Sequence, residues 1–268
     1  MRICVLGPLA VEYNGRSIVP TAGKPRQILA LLALRPGRAV PVDTLIEEVW
    51  GDSVPRSAST TLQTYILQLR RKIGEALDGD GDVSPRDVLS TSYGGYRLNP
   101  ADQGHDLTQF QDALGCGSRA LEAGDARSAA LLLGKALALW RGPVLADVPK
   151  GLVLELEAIG MAEARTTALE QRIEADLRLG RHTSLIPELR VLTARHPLNE
   201  SLRAQLMIAL YRAGSPWRAL EEFRHLRDQL NAELGVEPSP RLQRLHRAVL
   251  DGDPLLDTDR ASALRLAG

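Results

Sequence analysis

Residues Ser57–Gly74 read SASTTLQTYILQLRRKIG, and the fold turns on how this run is placed. As a helix it sets Leu62, Ile66, Leu69 and Ile73 at spacings of four, three and four, the periodicity of a face packed on a core. Thr60, Thr64, Gln68 and Arg71 then point the other way. Ser57, Ser59, Thr60 and Thr61 crowd the start, where a hydroxyl can cap free amides and the positive end of the helix dipole can hold a phosphate. Arg70, Arg71 and Lys72 crowd the end, where they complement the dipole and can reach a second phosphate backbone. The same pattern fits a surface helix with a basic C-terminus, so the flanking elements must decide.

Upstream, residues 3–19 (ICVLGPLAVEYNGRSIV) are β-branched and apolar, broken by Gly7-Pro8 and by Asn14-Gly15, a two-residue hairpin signal. A small antiparallel sheet is expected there. Lys24–Arg35 carries Ile28, Leu31, Leu32 and Leu34 on a helix that Pro36-Gly37 stops. Val42–Trp50 is a second short helix beginning near Asp43, with Leu45, Val49 and Trp50 inward and Gly51 ending it. Downstream, a polar, acidic, glycine-rich loop from Asp78 to Asp87 leads into VLSTSYGGYRL (Val88–Leu98), a hairpin turning near Tyr93-Gly94-Gly95. Sheet, helix, helix, basic helix, hairpin is the order of a winged helix-turn-helix, which makes Ser57–Gly74 a DNA-reading helix. Gln68 can pair with adenine, and Arg70 or Arg71 with guanine, because each presents a matching fork of hydrogen-bonding groups. Trp50, Tyr65 and Tyr96 lie beside apolar stripes and are expected to pack in the core; Tyr93, at the hairpin tip, is the exception.

Charge adds only local support. The chain of 268 residues has zero formal charge; residues 1–100 carry 12 Lys+Arg against 10 Asp+Glu, and the remainder 21 against 23. Residues 53–75 concentrate Arg56, Arg70, Arg71 and Lys72 against Glu75. Cys4 and Cys116 are far apart and show no metal-ligand spacing, so a reducing cytosol, no disulfide and no metal site are expected. The apolar run before Glu12 is too short for a signal peptide, and no stretch approaches a membrane-spanning length.

From Asp106 onward helix formers dominate, and a period emerges. ADLRLGRHTSLIPELRVLT (175–193) aligns with ALYRAGSPWRALEEFRHLR (209–227) at an offset of 34, superposing Ala175 on Ala209, Arg178 on Arg212, Gly180 on Gly214, Glu188 on Glu222 and Leu192 on Leu226. That period, with a glycine closing the first helix, is the tetratricopeptide signature. Leu185-Ile186-x-x-Leu189 and Ala219-Leu220-x-x-Phe223 supply the second helices' packing residues, and a less regular unit centres on Gly124, followed by Ala129-Ala130-x-x-Leu133. Such arrays bury their own helices and present surfaces to other proteins. No phosphate loop, dinucleotide fingerprint or nucleophile–base trio is present, and His105, His182, His196, His225 and His246 are scattered. An enzyme is not expected, nor a cofactor.

Tyr65-Ile66-x-x-Leu69-Arg70-Arg71-Lys72 and Gly95-Tyr96-Arg97-Leu98 resemble the recognition helix and wing end of response-regulator effector domains. Together with Ala138–Val148 (ALWRGPVLADV), Ile173–Arg181 (IEADLRLGR) and Leu234–His246 (LGVEPSPRLQRLH), they resemble the Streptomyces antibiotic regulatory protein family over residues 1–253. The resemblance implies a mainly α fold with a small β component: a winged-helix DNA-binding domain at 1–100, a tetratricopeptide-like bacterial transcriptional activation domain at 106–252, and a mobile tail at 253–268. It implies that Thr64, Gln68 and Arg70 approach base edges, with Thr60, Thr61, Arg71 and Lys72 beside them. It also implies that the wing, through Ser92, Tyr93 and Arg97, meets a neighbouring minor groove or its phosphates. Gln68 and Ser92 stand where many members carry arginine, so a base preference cannot be transferred. The implied function is activation of a secondary-metabolite gene cluster. Its implied means are binding direct heptameric repeats near a promoter's −35 element as a head-to-tail homodimer, and recruiting RNA polymerase holoenzyme. The place of work is cytoplasmic, at the nucleoid, with no membrane partner. Larger members add an ATPase and sensor repeats; this chain ends before them, so control by abundance, a ligand or a partner is expected. A repressor on the same fold, and a helical-repeat scaffold whose winged helix binds protein, remain open alternatives.

Overall fold

The computed structural model describes residues 1–77, 83–99 and 104–256. The chain opens with an antiparallel sheet of β1 (Arg2–Cys4), β2 (Ala10–Tyr13) and β3 (Arg16–Ser17), in that order. Ile3 faces Val11, and Tyr13 faces Arg16 across a two-residue turn in which Asn14 (φ 48°) and Gly15 (φ 76°) are both left-handed. That is the turn whose twist suits a hairpin. Three helices follow: α1 (Gly23–Leu34), α2 (Val42–Trp50) and α3 (Ala58–Ala76), each within two residues of expectation. Leu62, Ile66, Leu69 and Ile73 of α3 are buried, as are Ile28, Leu31 and Leu32 of α1 and Leu45 of α2.

Two features lay outside the expectation. Strand β4 (Val40–Pro41), between α1 and α2, joins the later hairpin, so that sheet runs β4-β6-β5. The loop expected at Asp78–Asp87 contains a one-turn helix, α4 (Pro85–Val88), set by a capping box in which the Ser84 hydroxyl accepts from the Asp87 amide and the Asp87 carboxylate accepts from the Ser84 amide. The loop's residues 78–82 lie outside the described residues. β5 (Leu89–Ser92) and β6 (Gly95–Leu98) form the expected hairpin, turning at Tyr93-Gly94.

The remaining helices are α5 (Asp106–Glu122), α6 (Ala126–Ala138), α7 (Leu152–Arg178), α8 (His182–Arg195), α9 (Glu200–Arg212), α10 (Pro216–Leu234) and α11 (Pro240–Asp251). The chain forms two compact units, one of Met1–Ala113 with Lys135–Thr166 and the other of Leu114–Gly134 with Thr167–Gly268. These units do not coincide with the expected domains 1–100 and 106–252, because carboxylates, two of them (Asp106 and Glu48) buried, tie residues beyond 100 to the N-terminal elements. Asp106 accepts from the Val5 amide at 2.8 Å and the Leu6 amide at 3.0 Å. Asp147 accepts from the Leu9 amide at 2.7 Å, and Arg26 bonds its carbonyl. Glu48, only 2% exposed, accepts from the amides of Gly151 (2.6 Å) and Leu154 (2.9 Å), capping α7 from α2, and from the Gln27 side chain. Residues 135–166 therefore complete the core of the winged-helix unit.

The second unit repeats one closure three times. Gly124, Gly180 and Gly214 all have φ between 73° and 83°. The next residue's amide reaches back five residues each time: Asp125 to Ala120 O, Arg181 to Asp176 O and Ser215 to Leu210 O, at 2.9–3.0 Å. This left-handed ending is the Schellman closure, which glycine adopts without side-chain strain. The repeat extends to side chains. Arg178 donates to Leu121 O and Arg212 to Leu177 O, so each arginine caps a carbonyl three residues before a closing glycine. α9, whose residues Leu202–Leu210 are all buried, is the centre of the array's core with Leu185, Leu189, Ala219, Phe223 and Leu245. Within the expected tail at 253–268, Pro254–Leu256 is a 3-10 turn, Leu256 is buried, and its carbonyl accepts from Arg212. Residues 257–268 of that tail lie outside the described residues.

Candidate nucleic-acid interface

At about 3.6 residues per turn, the point of α3 opposite its buried stripe falls between Thr60, Thr64, Leu67 and Arg71. All four are exposed, with Gln63 and Gln68 on the flanks, also exposed. Arg71 is 78% exposed and held only loosely by Glu75 one turn on, at 3.7 Å, leaving its guanidinium available. The Thr64 hydroxyl donates to Thr60 O within the helix. Thr61 and Lys72 are half-buried at the margins. Ser57 occupies the N-cap position but makes no side-chain capping bond, so the expected hydroxyl cap is absent because its backbone (φ −90°, ψ 10°) is not extended. At the other end, Arg16 from β3 donates to Glu75 O, satisfying a last-turn carbonyl.

Arg70, expected to approach base edges, bonds to the wing in this structure. It sits to the side of the exposed face, where its Nε donates to Leu89 O at 3.0 Å and its Nη2 to the Thr91 hydroxyl at 2.8 Å. Burial, then the neighbouring Arg86 charge, lowers its pKa from the ordinary arginine value. The side chain ties the reading helix to the first strand of the wing.

The wing is fixed at its root and free at its tip. β6 starts so close to β4 that a Cβ on Gly95 would lie 2.2 Å from Val40 O, a contact only glycine escapes. Tyr93 at the turn is fully exposed (106%), Ser92 half-buried, and Arg97 lies toward the root with its Nε buried and making no hydrogen bond among the described residues. Tyr96 is buried as expected, whereas Trp50 and Tyr65 are half-buried and stack on each other at 6.2 Å with Lys24 above Trp50.

Between α3 and α4 lies a cleft of about 620 Å³ lined by Thr64, Leu67, Gln68, Arg70 and Arg71 on one side and Ser84, Pro85 and Arg86 on the other. Leu67 and Arg86 were missed in the sequence. Helical-wheel arithmetic would have found Leu67; Arg86 is brought here by the α4 turn. Among the described residues no cluster of metal-binding side chains exists, and no helix is long and apolar enough to cross a membrane.

A winged helix with an exposed threonine, glutamine and arginine face on its third helix, followed by a helical-repeat array, defines a DNA-binding transcriptional regulator. Residues 15–98 match the family described as transcriptional regulatory protein, C terminal, and residues 105–250 match the bacterial transcriptional activator domain. The chain belongs to the Streptomyces antibiotic regulatory protein family. It is 50% identical to the regulatory protein DnrI of Streptomyces peucetius over 257 residues, covering 96% of this chain and 94% of that one. Against the regulatory protein AfsR of Streptomyces coelicolor the identity is 37%, over 96% of this chain but only 25% of that one. A solved structure of Mycobacterium tuberculosis EmbR, in complex with a low-affinity phosphopeptide, superposes with a TM-score of 0.89 at 34% identity, covering 99% of this chain and 68% of that one. DnrI and AfsR are regulatory proteins, and EmbR is a transcriptional regulatory protein.

Proposed function

We propose that this protein activates a secondary-metabolite, antibiotic-type, gene cluster. In this reading it binds direct repeats near the promoter's −35 element as a head-to-tail pair and recruits RNA polymerase holoenzyme, working in the cytoplasm at the nucleoid. The observation that carries this reading is the exposed Thr60–Thr64–Arg71 face of α3, in a chain that matches DnrI nearly end to end. Thr60 and Thr61, near the helix start, and Lys72 meet phosphates. Thr64, Gln68 and Arg71 face base edges, and Tyr93 with Ser92 leads the wing toward the adjoining groove. Arg70 ties the helix to the wing rather than reading sequence, and Arg97 backs the wing from its root. A head-to-tail arrangement suits direct repeats because it places the same helix, in the same sense, on each repeat.

Footprinting of the purified chain on promoters of its neighbouring cluster, with and without polymerase, tests the reading. Protection of tandem repeats on one DNA face, strengthened by polymerase, is expected. A promoter-reporter assay separates activator from repressor: loss of residues 167–268 should abolish transcription, whereas a rise in expression on deletion of the whole protein means repression. Absence of any footprint at low salt would make the winged helix a protein-binding module.

A further inference from the structure

Leu67 stands at the centre of the exposed face of α3, between Thr64 and Arg71, and is 67% exposed. Single exposed leucines are ordinary on protein surfaces, so chemistry and position matter more than exposure. The neighbours along the face, Thr60 and Thr64, are short, which lets the helix backbone come close to whatever it meets. Around the leucine, Gln68 offers an amide, and Arg70, Arg71 and Arg86 line the same cleft. An apolar point ringed by cations and an amide matches the major-groove floor, where the thymine C5 methyl is the one apolar group on offer and phosphates border it. A protein partner would call for larger apolar or aromatic anchors than one leucine.

We propose that Leu67 reads a thymine methyl, making it a determinant of operator sequence alongside Thr64 and Arg71. The inference rests on the reading of α3 as the DNA-facing helix. Placed there, Leu67 excludes water from the methyl and discriminates thymine from cytosine at one position in each repeat. Arg71, one turn further on, reaches a base beyond it.

The test replaces each thymine of the footprinted repeats in turn by deoxyuridine, which removes the methyl and keeps every hydrogen-bonding group. Affinities are measured for the full chain and for its Leu67→Ala variant. At one position per repeat, deoxyuridine should weaken the unaltered protein about fourfold, the worth of one buried methyl. The same exchange should leave Leu67→Ala unaffected. Equal losses in both proteins, or no sensitive thymine, overturns the proposal while the DNA reading stands. If the unaltered protein binds none of these duplexes, the DNA reading itself fails, and the cleft becomes a docking face for protein. The uracil scan on the unaltered chain stands independently of how the variant folds.

Discussion

At the scale of single residues, buried acceptors dominate. Glu48 receives two amides at the start of α7 and one side-chain amide from α1. Glu48→Ala should therefore lower unfolding stability by about 2 kcal/mol, the cost of stranding buried donors, measured by urea denaturation. Glu48→Gln, which keeps one acceptor oxygen, should lose less. His105 is a second case: its Nδ1 accepts from the Thr108 amide at the start of α5 while its Nε2 lies 2.9 Å from Ala33 O. Burial lowers its pKa below the ordinary 6.5, with Asp106 partly opposing. Because the folded form resists the proton, its full stability is present above pH 6.5 and is lost as pH falls from there through the depressed folded value. Burial, then the charges of Arg224 and Arg227, moves His246 in the same direction. Melting temperature should fall between pH 7 and pH 5, and His105→Gln should flatten that fall; an unaltered slope would refute the assignment. The capping contact to Thr108 is local, but the burial of His105 was not read from the sequence, since its contact with Ala33 O is 72 residues away.

At the scale of elements, α3 and the wing act through different residues than their charges suggest. Arg71→Ala should leave the melting temperature unchanged and reduce the salt dependence of DNA binding by about one unit if the contact is to phosphate, or relax one base preference if it is to guanine. Arg70→Ala should instead loosen the wing, seen as faster hydrogen exchange at Leu89–Thr91, and weaken binding to all sequences alike. Both arginines are equally visible in the run LQLRRKIG; only the hairpin packed against one side of the helix separates them. In the array, Gly180→Ala and Gly214→Ala should each cost about 1–2 kcal/mol, because a β-carbon in the left-handed region is strained, and thermal unfolding checks this. Those glycines were legible from the offset of 34, since a repeat that reuses one helix ending must reuse the residue allowing it.

At the scale of the whole molecule, the winged-helix unit extends past its homology boundary. The family match ends at residue 98, yet Asp106 and Asp147 accept the amides of Val5, Leu6 and Leu9. A fragment of residues 1–100 lacks both acceptors, and the Arg35–Glu157 pair besides. Hydrogen exchange at Val5, Leu6 and Leu9 should be slow in the full chain and fast in the fragment, and the fragment should melt lower. A fragment of 1–166, which restores all three carboxylates, should recover part of the protection. Deletions meant to separate DNA binding from activation are thus better cut after residue 166 than after residue 100.

Local chemistry was enough for much of this protein. The 3.6-residue spacing of Leu62, Ile66, Leu69 and Ile73, the Asn14-Gly15 turn and the recurring closing glycines depend on neighbours a few residues away, so the amino-acid sequence by itself determined the helices, the exposed face of α3 and the repeat. What only the tertiary structure decided is which polar groups are spent inside. Arg70 turns to Thr91, 21 residues on; Glu48 caps a helix 103 residues away; β4 joins the wing sheet through a glycine that leaves no room for a side chain. Those pairings arise between segments distant in the chain, and periodicity carries no record of which distant donor will meet which acceptor once both are removed from water.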